Sequence, residues 1–279
     1  MLRSLTIPAV VVYALSLLAT ALVTSPPAEP PADPSPASAS PPVRPLPDRP
    51  LIGFSIDLHH TDHLPRYHAA IDQLADRGFN AVQILTPIFQ RDIRSNRIHR
   101  LTGPGRGPTQ NQLVALLRHA RRRGLHTTLM PVVLLTHPRG NEWRGRINPQ
   151  QWDRWWASYH RCLLDFAHLA AAEDVTLLCI GSELLTTEDQ IGRWQTLVSD
   201  IRTKFPGPIS YSTNWDHYPK TRLWPLVDVI GVNGYWDLTV DGGSIDQPAG
   251  LTRRWETIRD RLLAFADQHQ RPLLLTEVG

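Results

Sequence analysis

The chain has 279 residues, 42% hydrophobic and 20% charged, with a formal net charge of only +3, a balance ordinary for a soluble enzyme with a large core. One α/β barrel of about 250 residues accommodates the globular part as a single unit. The pI of 9.1 comes from scattered arginines; the one run, Arg121-Arg122-Arg123, closes an amphipathic helix, where cations suit the helix C-terminus, so a nucleic-acid partner is excluded.

Arg3 precedes an apolar stretch, Ile7–Val23, interrupted by Pro8, Ser16 and Thr20. Residues 1–24 therefore read as an export signal, cleaved or kept as a membrane anchor. Ala19-Thr20-Ala21 has the small-x-small form of a cleavage site, and no cysteine follows to carry a lipid. The expected location is secreted, periplasmic, or anchored to the cytoplasmic membrane facing outward. Residues 25–50, rich in Pro, Ala and Ser, read as an extended, solvated spacer. Cys162 and Cys179 fall on a helix and a buried strand and read as small hydrophobes, since two cysteines make no disulfide framework.

From Leu51 the pattern alternates strand and helix, which predicts a parallel sheet wrapped by helices. Leu51–Leu58 is the first strand; Leu64, Tyr67, Ile71 and Leu74 mark a helix; Ala81–Leu85 is the second strand. Thr109 and Gln112 form a capping box for the helix of Leu113, Leu116, Leu117 and Ala120, and Thr127–Leu135 follows as the third strand. Asn148 as N-cap and Pro149 at the first position open the next helix, with a stripe of Trp152, Trp155, Trp156, Tyr159, Leu163, Phe166 and Ala170. Val175–Glu183 is the fourth strand, and Thr187 with Gln190 in capping-box spacing starts the helix of Ile191, Trp194, Leu197, Val198 and Ile201. Pro208–Thr213 and Val227–Asn233 are strands five and six; a helix with Leu251, Trp255, Ile258 and Leu262 precedes strand seven, Pro272–Gly279. The whole of 51–279 thus reads as a (β/α)8 TIM barrel truncated after strand seven. Open edges at strands one and seven would orphan backbone groups at about 1–3 kcal/mol each, against a total stability of about 5–15 kcal/mol. Leu51–Gly279 alone is accordingly expected to fold poorly or aggregate, and the protein to be a monomer.

Two of these apolar runs end in a glutamate, Glu183 and Glu277. In such barrels the C-terminal strand ends carry the catalytic groups. Two carboxylates there suit retaining glycoside hydrolysis, in which one acid protonates the leaving oxygen and the other attacks the anomeric carbon. A single glutamate at a strand end would more simply salt-bridge an arginine or cap a helix. Asp57, His59 and His60 after the first strand raise a metal-dependent hydrolase as an alternative. Such a barrel would also show Lys on strand four and His on strands five and six, and only His217 matches in part. No metal and no cofactor is predicted. A non-catalytic carbohydrate-binding or cell-surface barrel is the other alternative, although it would need neither glutamate.

Four segments carry a resemblance to a known family: Ile180–Asp216, Trp224–Trp236, Leu273–Gly279, and Trp143-Arg144-Gly145 with Trp155-Trp156 and Tyr159. They are similar to glycoside hydrolase family 113, a β-mannanase family among the clan A barrels. The resemblance covers Leu51 to the end and is densest from Trp143. It implies a glycosidase acting on a polysaccharide or oligosaccharide, with Glu183 as acid/base and Glu277 as nucleophile. Tyr235 sits where the clan places an aromatic residue or His near the nucleophile, and Asn214 and Trp215 look like part of the sugar site. Ser182 stands where the clan usually has an Asn that holds the substrate 2-hydroxyl; that contact would then be weaker, water-mediated, or supplied by Asn214 or Asn233. Of the nine Trp, those on helix stripes read as packing, whereas Trp143, Trp215 and Trp236 follow strand ends and either stack on sugar or pack within loops.

Overall fold

The computed structural model describes residues 42–59, 61–239 and 248–279. Seven strands lie in the order β1 to β7, each parallel to its neighbours: β1 Gly53–Asp57, β2 Ala81–Gln90, β3 His126–Leu135, β4 Leu177–Ser182, β5 Ile209–Asn214, β6 Val229–Gly234 and β7 Leu273–Val278. Helices α1 Leu64–Asp76, α2 Gln110–Arg122, α3 Trp152–Ala172, α4 Ile191–Arg202 and α5 Pro248–His269 cover the outside. The sheet curls into a nearly closed TIM-type barrel. Across the gap, Gln83 of β2 and Ser55 of β1 both donate to the Thr276 carbonyl of β7, at 2.9 and 3.4 Å. Phe54 on β1 and Val278 on β7 are exposed.

Several boundaries differ from the sequence expectation, each because tertiary bonds outweigh a local signal. β2 continues to Gln90, since it pairs with β3 along its whole length, Gln90 opposite Leu135. α3 begins at Trp152 rather than after Asn148. Instead of capping, the stretch from Asn148 is tied to the β2–α2 connection: Asn148 N–H donates to Ile93 O, Gln150 N–H to Arg94 O, and Gln151 N–H to Asn96 Oδ1. α4 begins at Ile191, because Leu185–Thr187 forms a 3-10 turn and the Gln190 carbonyl oxygen accepts from Trp156 Nε1 instead of closing a capping box. The box at Thr109 and Gln112 is present.

The spacer also needs correcting at its end. Rather than staying solvated to Pro50, it reaches the barrel: Arg44 N–H donates to Pro206 O and its guanidinium to Val175 O. Leu46 and Pro47 face Leu177, Val229 and Leu273 at the N-terminal ends of the strands. No helix among the described residues is long and apolar enough to cross a membrane, and Ile7–Val23 lies outside them. Cys162 and Cys179 are buried free thiols, and burial pushes Cys179 up to about 11.

A chain of aromatic rings packs between α3, α4 and the sheet. Trp155 stacks on Tyr159 at 4.9 Å, Trp156 meets Trp194 at 5.2 Å, and Trp194 meets Tyr211 at 5.4 Å. The tips of these rings reach the loops above the strands. Trp155 Nε1 donates to Gln90 Oε1 at the end of β2, Trp156 Nε1 to Gln190 Oε1, and Trp194 Nε1 to Thr187 O. Buried aromatics with polar tips find partners in this way, and here the partners are the segments that carry the site.

Candidate active site

Glu183 follows β4 directly and is 8% exposed. Its φ of 55° is left-handed, a conformation that costs a non-glycine residue roughly 1–2 kcal/mol and persists only where surroundings impose it. Those surroundings are visible. Glu183 N–H donates to Ser212 O at 2.9 Å, and the next amide, Leu184 N–H, donates to the Tyr211 hydroxyl at 2.9 Å. The pairing of β4 with β5 shifts register between Cys179 and Ser182, just before this turn. Gly181 permits the turn's packing, for a Cβ there would stand 2.9 Å from the Tyr211 ring and 3.1 Å from Trp194.

The Glu183 carboxylate has two partners. Asn233 Nδ2 donates to Oε1 at 2.8 Å, and Arg144 Nη2 lies 2.5 Å from Oε2. Arg144 also donates from Nε to Ser182 O at 3.2 Å, so the guanidinium bridges backbone and carboxylate. The Asn233 amide is oriented by the Ser212 and Thr276 hydroxyls, which stand 2.8 and 2.7 Å from its Oδ1. With the oxygen so occupied, the NH2 must face Glu183.

Glu277 lies within β7, opposite Asn233 of β6, at a second register shift between Val232 and Asn233. Its half-exposed carboxylate accepts the Tyr235 hydroxyl proton at 2.7 Å. That hydrogen bond, then burial, then the charges of Glu277 and Glu183, push the Tyr235 phenol up to about 12, with Arg144 pulling the other way. Four groups therefore converge: Glu183, Glu277, Arg144 and Tyr235.

The sign of the Tyr235 shift sets a pH dependence. A phenol raised from 10 to about 12 favours the folded state while protonated, fully below pH 10, and that contribution is lost as pH rises through about 12. Comparing alkaline phenolate absorbance of the wild type with Tyr235→Phe is expected to reveal one missing transition near pH 12; one near pH 10 would mean the Glu277 bond does not persist.

The other sequence candidates divide. Trp215 is exposed and lies 6.2 Å from Trp236, the two rings tilted by 60°, beside Asn214 at the end of β5. Trp143 folds back over Gly145, where a Cβ would lie 2.3 Å from its ring, so loop packing accounts for it. Ser182 is 1% exposed, and its hydroxyl has no hydrogen-bond partner among the described residues. Asn233 is fully buried against Glu183, leaving Asn214, half-buried, as the accessible amide. Asp57 and His59 pair with each other at 2.8 Å, and the Asp57 hydrogen bond raises His59. His60 lies outside the described residues, and among those described no group of three or more His, Cys, Asp and Glu could hold a metal.

Sequence reasoning missed a third carboxylate. Glu188, 4% exposed, accepts from Tyr211 at 2.8 Å and from Thr221 at 2.8 Å, and pairs with His217 at 3.0 Å. This explains His217, the partial metal match. The role of Arg144 was also missed, since nothing in its local sequence sets it apart from Arg139 and Arg146.

The model of Glycoside Hydrolase Family 113 matches residues 62–279, whereas a search of curated protein sequences returns no match. Among solved structures, the GH113 β-mannanase AaManA from Alicyclobacillus acidocaldarius is similar at a TM-score of 0.68 and 24% identity, over 81% of this chain and 70% of that one. A GH113 β-1,4-mannanase matches at 0.68 and 20%, over 81% and 71%. A β-glucuronidase from Faecalibacterium prausnitzii matches at 0.53 and 15%, over 81% and 34%. At these identities the structural likeness speaks for the barrel itself. With the family model spanning both glutamates and the strands that carry them, the chain belongs to Glycoside Hydrolase Family 113 and is a glycosidase.

Proposed function

We propose that the protein hydrolyses β-linked mannan or a related polysaccharide or oligosaccharide by double displacement. The observation that supports it best is the pair of carboxylates at the ends of β4 and β7, one held by Arg144 and Asn233, the other by Tyr235. In the first step a Glu277 oxygen bonds to the anomeric carbon as the glycosidic bond breaks, and Glu183 gives its proton to the leaving oxygen. In the second, water attacks that carbon, its proton passes to Glu183, and the ester to Glu277 breaks. Arg144 and Asn233 hold the Glu183 carboxyl in place for both steps. The substrate follows from the neighbours described as β-mannanases. Trp215 and Trp236 supply a surface for the apolar faces of the sugar rings, with Asn214 beside them.

A 2-deoxy-2-fluoro-β-mannosyl fluoride incubated with the full chain is expected to leave one mannosyl adduct on the peptide of Glu277, found by mass spectrometry. An adduct on another residue, or an inverted product from an activated mannoside, overturns the mechanism.

We further read residues 1–24 as an export signal or anchor and 25–50 as a linker whose last residues, from Arg44, lie against a monomeric barrel, which puts the glycosidase outside the cytoplasmic membrane. A C-terminal reporter active only in the cytoplasm would sink that location.

A further inference from the structure

At the end of the barrel that bears Glu183 and Glu277, a solvent-open cavity of about 430 Å³ lies between the β2–α2 connection and the start of α3. Arg91, Arg97, His99 and Arg154 line it together with Ser95 and Asn96. All three arginines are exposed, and none has an ion-pair partner among the described residues. The nearby carboxylates are committed elsewhere. Asp92 is buried and accepts from Ser95 and the Arg94 amide, Glu142 accepts from the Arg139 amide, and Asp153 pairs with Arg193 on α4. Three like charges thus share a concavity; Asp92, already committed to Ser95 and the Arg94 amide, offsets part of the Arg91 charge.

The helix adds to the imbalance. α3 runs for 21 residues, and its N-cap, Gln151, makes no side-chain cap. The positive end of the helix dipole lies at the cavity, and the first turn holds both Asp153, which pairs with Arg193, and Arg154, a cation where one is disfavoured. An anion would suit the dipole and Arg154 alike. The walls are also preformed. Phe89 and His99 exchange two backbone hydrogen bonds of 2.8 Å, Ile98 N–H donates to Ser158 Oγ at 2.9 Å, and Gln151 N–H donates to Asn96 Oδ1 at 2.7 Å. The β3–α3 connection joins this cavity to the glutamates, since it delivers Arg144 to Glu183 at one point and Gln151 to Asn96 at another.

We propose that this cavity is a subsite for a carboxylate or sulfate group carried on the polysaccharide that the enzyme cuts, an inference that rests on the proposed glycosidase activity toward mannan. The arginines read the charge, by planar guanidinium-to-oxyanion pairing, while the aromatic pair and Asn214 read the sugar. An acidic polysaccharide would be favoured over a neutral one of the same backbone.

The test compares β-1,4-mannan with the same mannan sparsely oxidised at C6 to the carboxylate. The wild-type full chain is expected to show a KM for the oxidised polymer lower by roughly tenfold at low salt, narrowing as ionic strength rises. The triple variant Arg91→Gln/Arg97→Gln/Arg154→Gln should lose the preference while its kcat/KM on neutral mannan stays within about twofold. Equal KM values in the wild type, or a preference that survives the triple change, overturns the proposal. Affinity electrophoresis through each polymer reads binding without turnover. Retardation by oxidised mannan alone, abolished in the variant, upholds the subsite even if neither polymer is cut, in which case the mannan-cleaving reading falls by itself. Inorganic sulfate that binds the cavity while the two polymers bind alike would show a free-anion site and overturn the polysaccharide assignment.

Discussion

Glu277→Ala is expected to lower turnover by roughly 10⁵-fold or more, the scale seen when a covalent nucleophile is lost. Its thermal midpoint should hardly move, because Glu277 is half-exposed and its carboxylate bonds to the Tyr235 hydroxyl, itself 47% exposed. Glu183→Gln is the informative partner. It keeps the volume of the buried side chain, whereas Glu183→Ala would leave the Arg144 guanidinium and the Asn233 amide without their acceptor, at about 1–3 kcal/mol each. Loss of the proton donor should cost about 10²–10⁴-fold on substrates with poor leaving groups and little on an activated aryl mannoside, since a good leaving group departs unprotonated. Azide should accelerate the Glu183 variant by attacking the glycosyl-enzyme, giving a glycosyl azide of retained configuration, whereas any azide product from Glu277→Ala should be inverted, since the anion then attacks the substrate directly. Residual hydrolysis in Glu277→Ala without added nucleophile, or a retained azide product from that variant, would sink the assignment of roles.

Much of this arrangement was readable before any coordinates. Parallel strands buried on both faces write themselves as near-continuous apolar runs, which is why VTLLCIGSE and PLLLTEVG gave both strands and both terminal glutamates. Helix stripes were readable for the same reason: Trp155, Tyr159, Leu163 and Phe166 recur at helical spacing and are all buried. Helix starts were not. Asn148-Pro149 looks like a cap, but the Asn148 backbone bonds to Ile93 and that of Gln151 to Asn96, and no local signal records partners so far away in sequence; Thr187 instead turns its hydroxyl back onto Leu184 O within a 3-10 turn. The same limit hid Arg144, Glu188 and Tyr211. Each acts through a tertiary contact rather than a motif.

Tyr211 carries the last expected result, because it is the link between the buried carboxylate and the backbone beneath Glu183. Its hydroxyl accepts the Leu184 amide proton and donates to Glu188, and burial with the Glu188 charge pushes the phenol well above its usual value. Both effects favour the neutral hydroxyl that donates to Glu188. Removing the acceptor, Glu188→Ala, strands Tyr211, Thr221 and His217 at once. Each buried donor left without its acceptor costs about 1–3 kcal/mol, so that variant should melt far lower and reports stability alone. Tyr211→Phe is gentler, leaving the buried Leu184 amide without its acceptor while Glu188 Oε1 keeps Thr213, about 1–3 kcal/mol. Its effect on catalysis is the sharper measurement. With Leu184 N–H released, nothing clamps the far side of the left-handed residue, and Glu183 drifts from the leaving oxygen. A displacement of about 1 Å at a catalytic group costs up to 10²-fold, so kcat on unactivated mannan should fall roughly tenfold or more with KM little changed. On an activated aryl mannoside, which needs no proton from Glu183, kcat should be almost unaffected. Equal losses on both substrates would mean that Tyr211 supports the fold in general and does not position the acid/base.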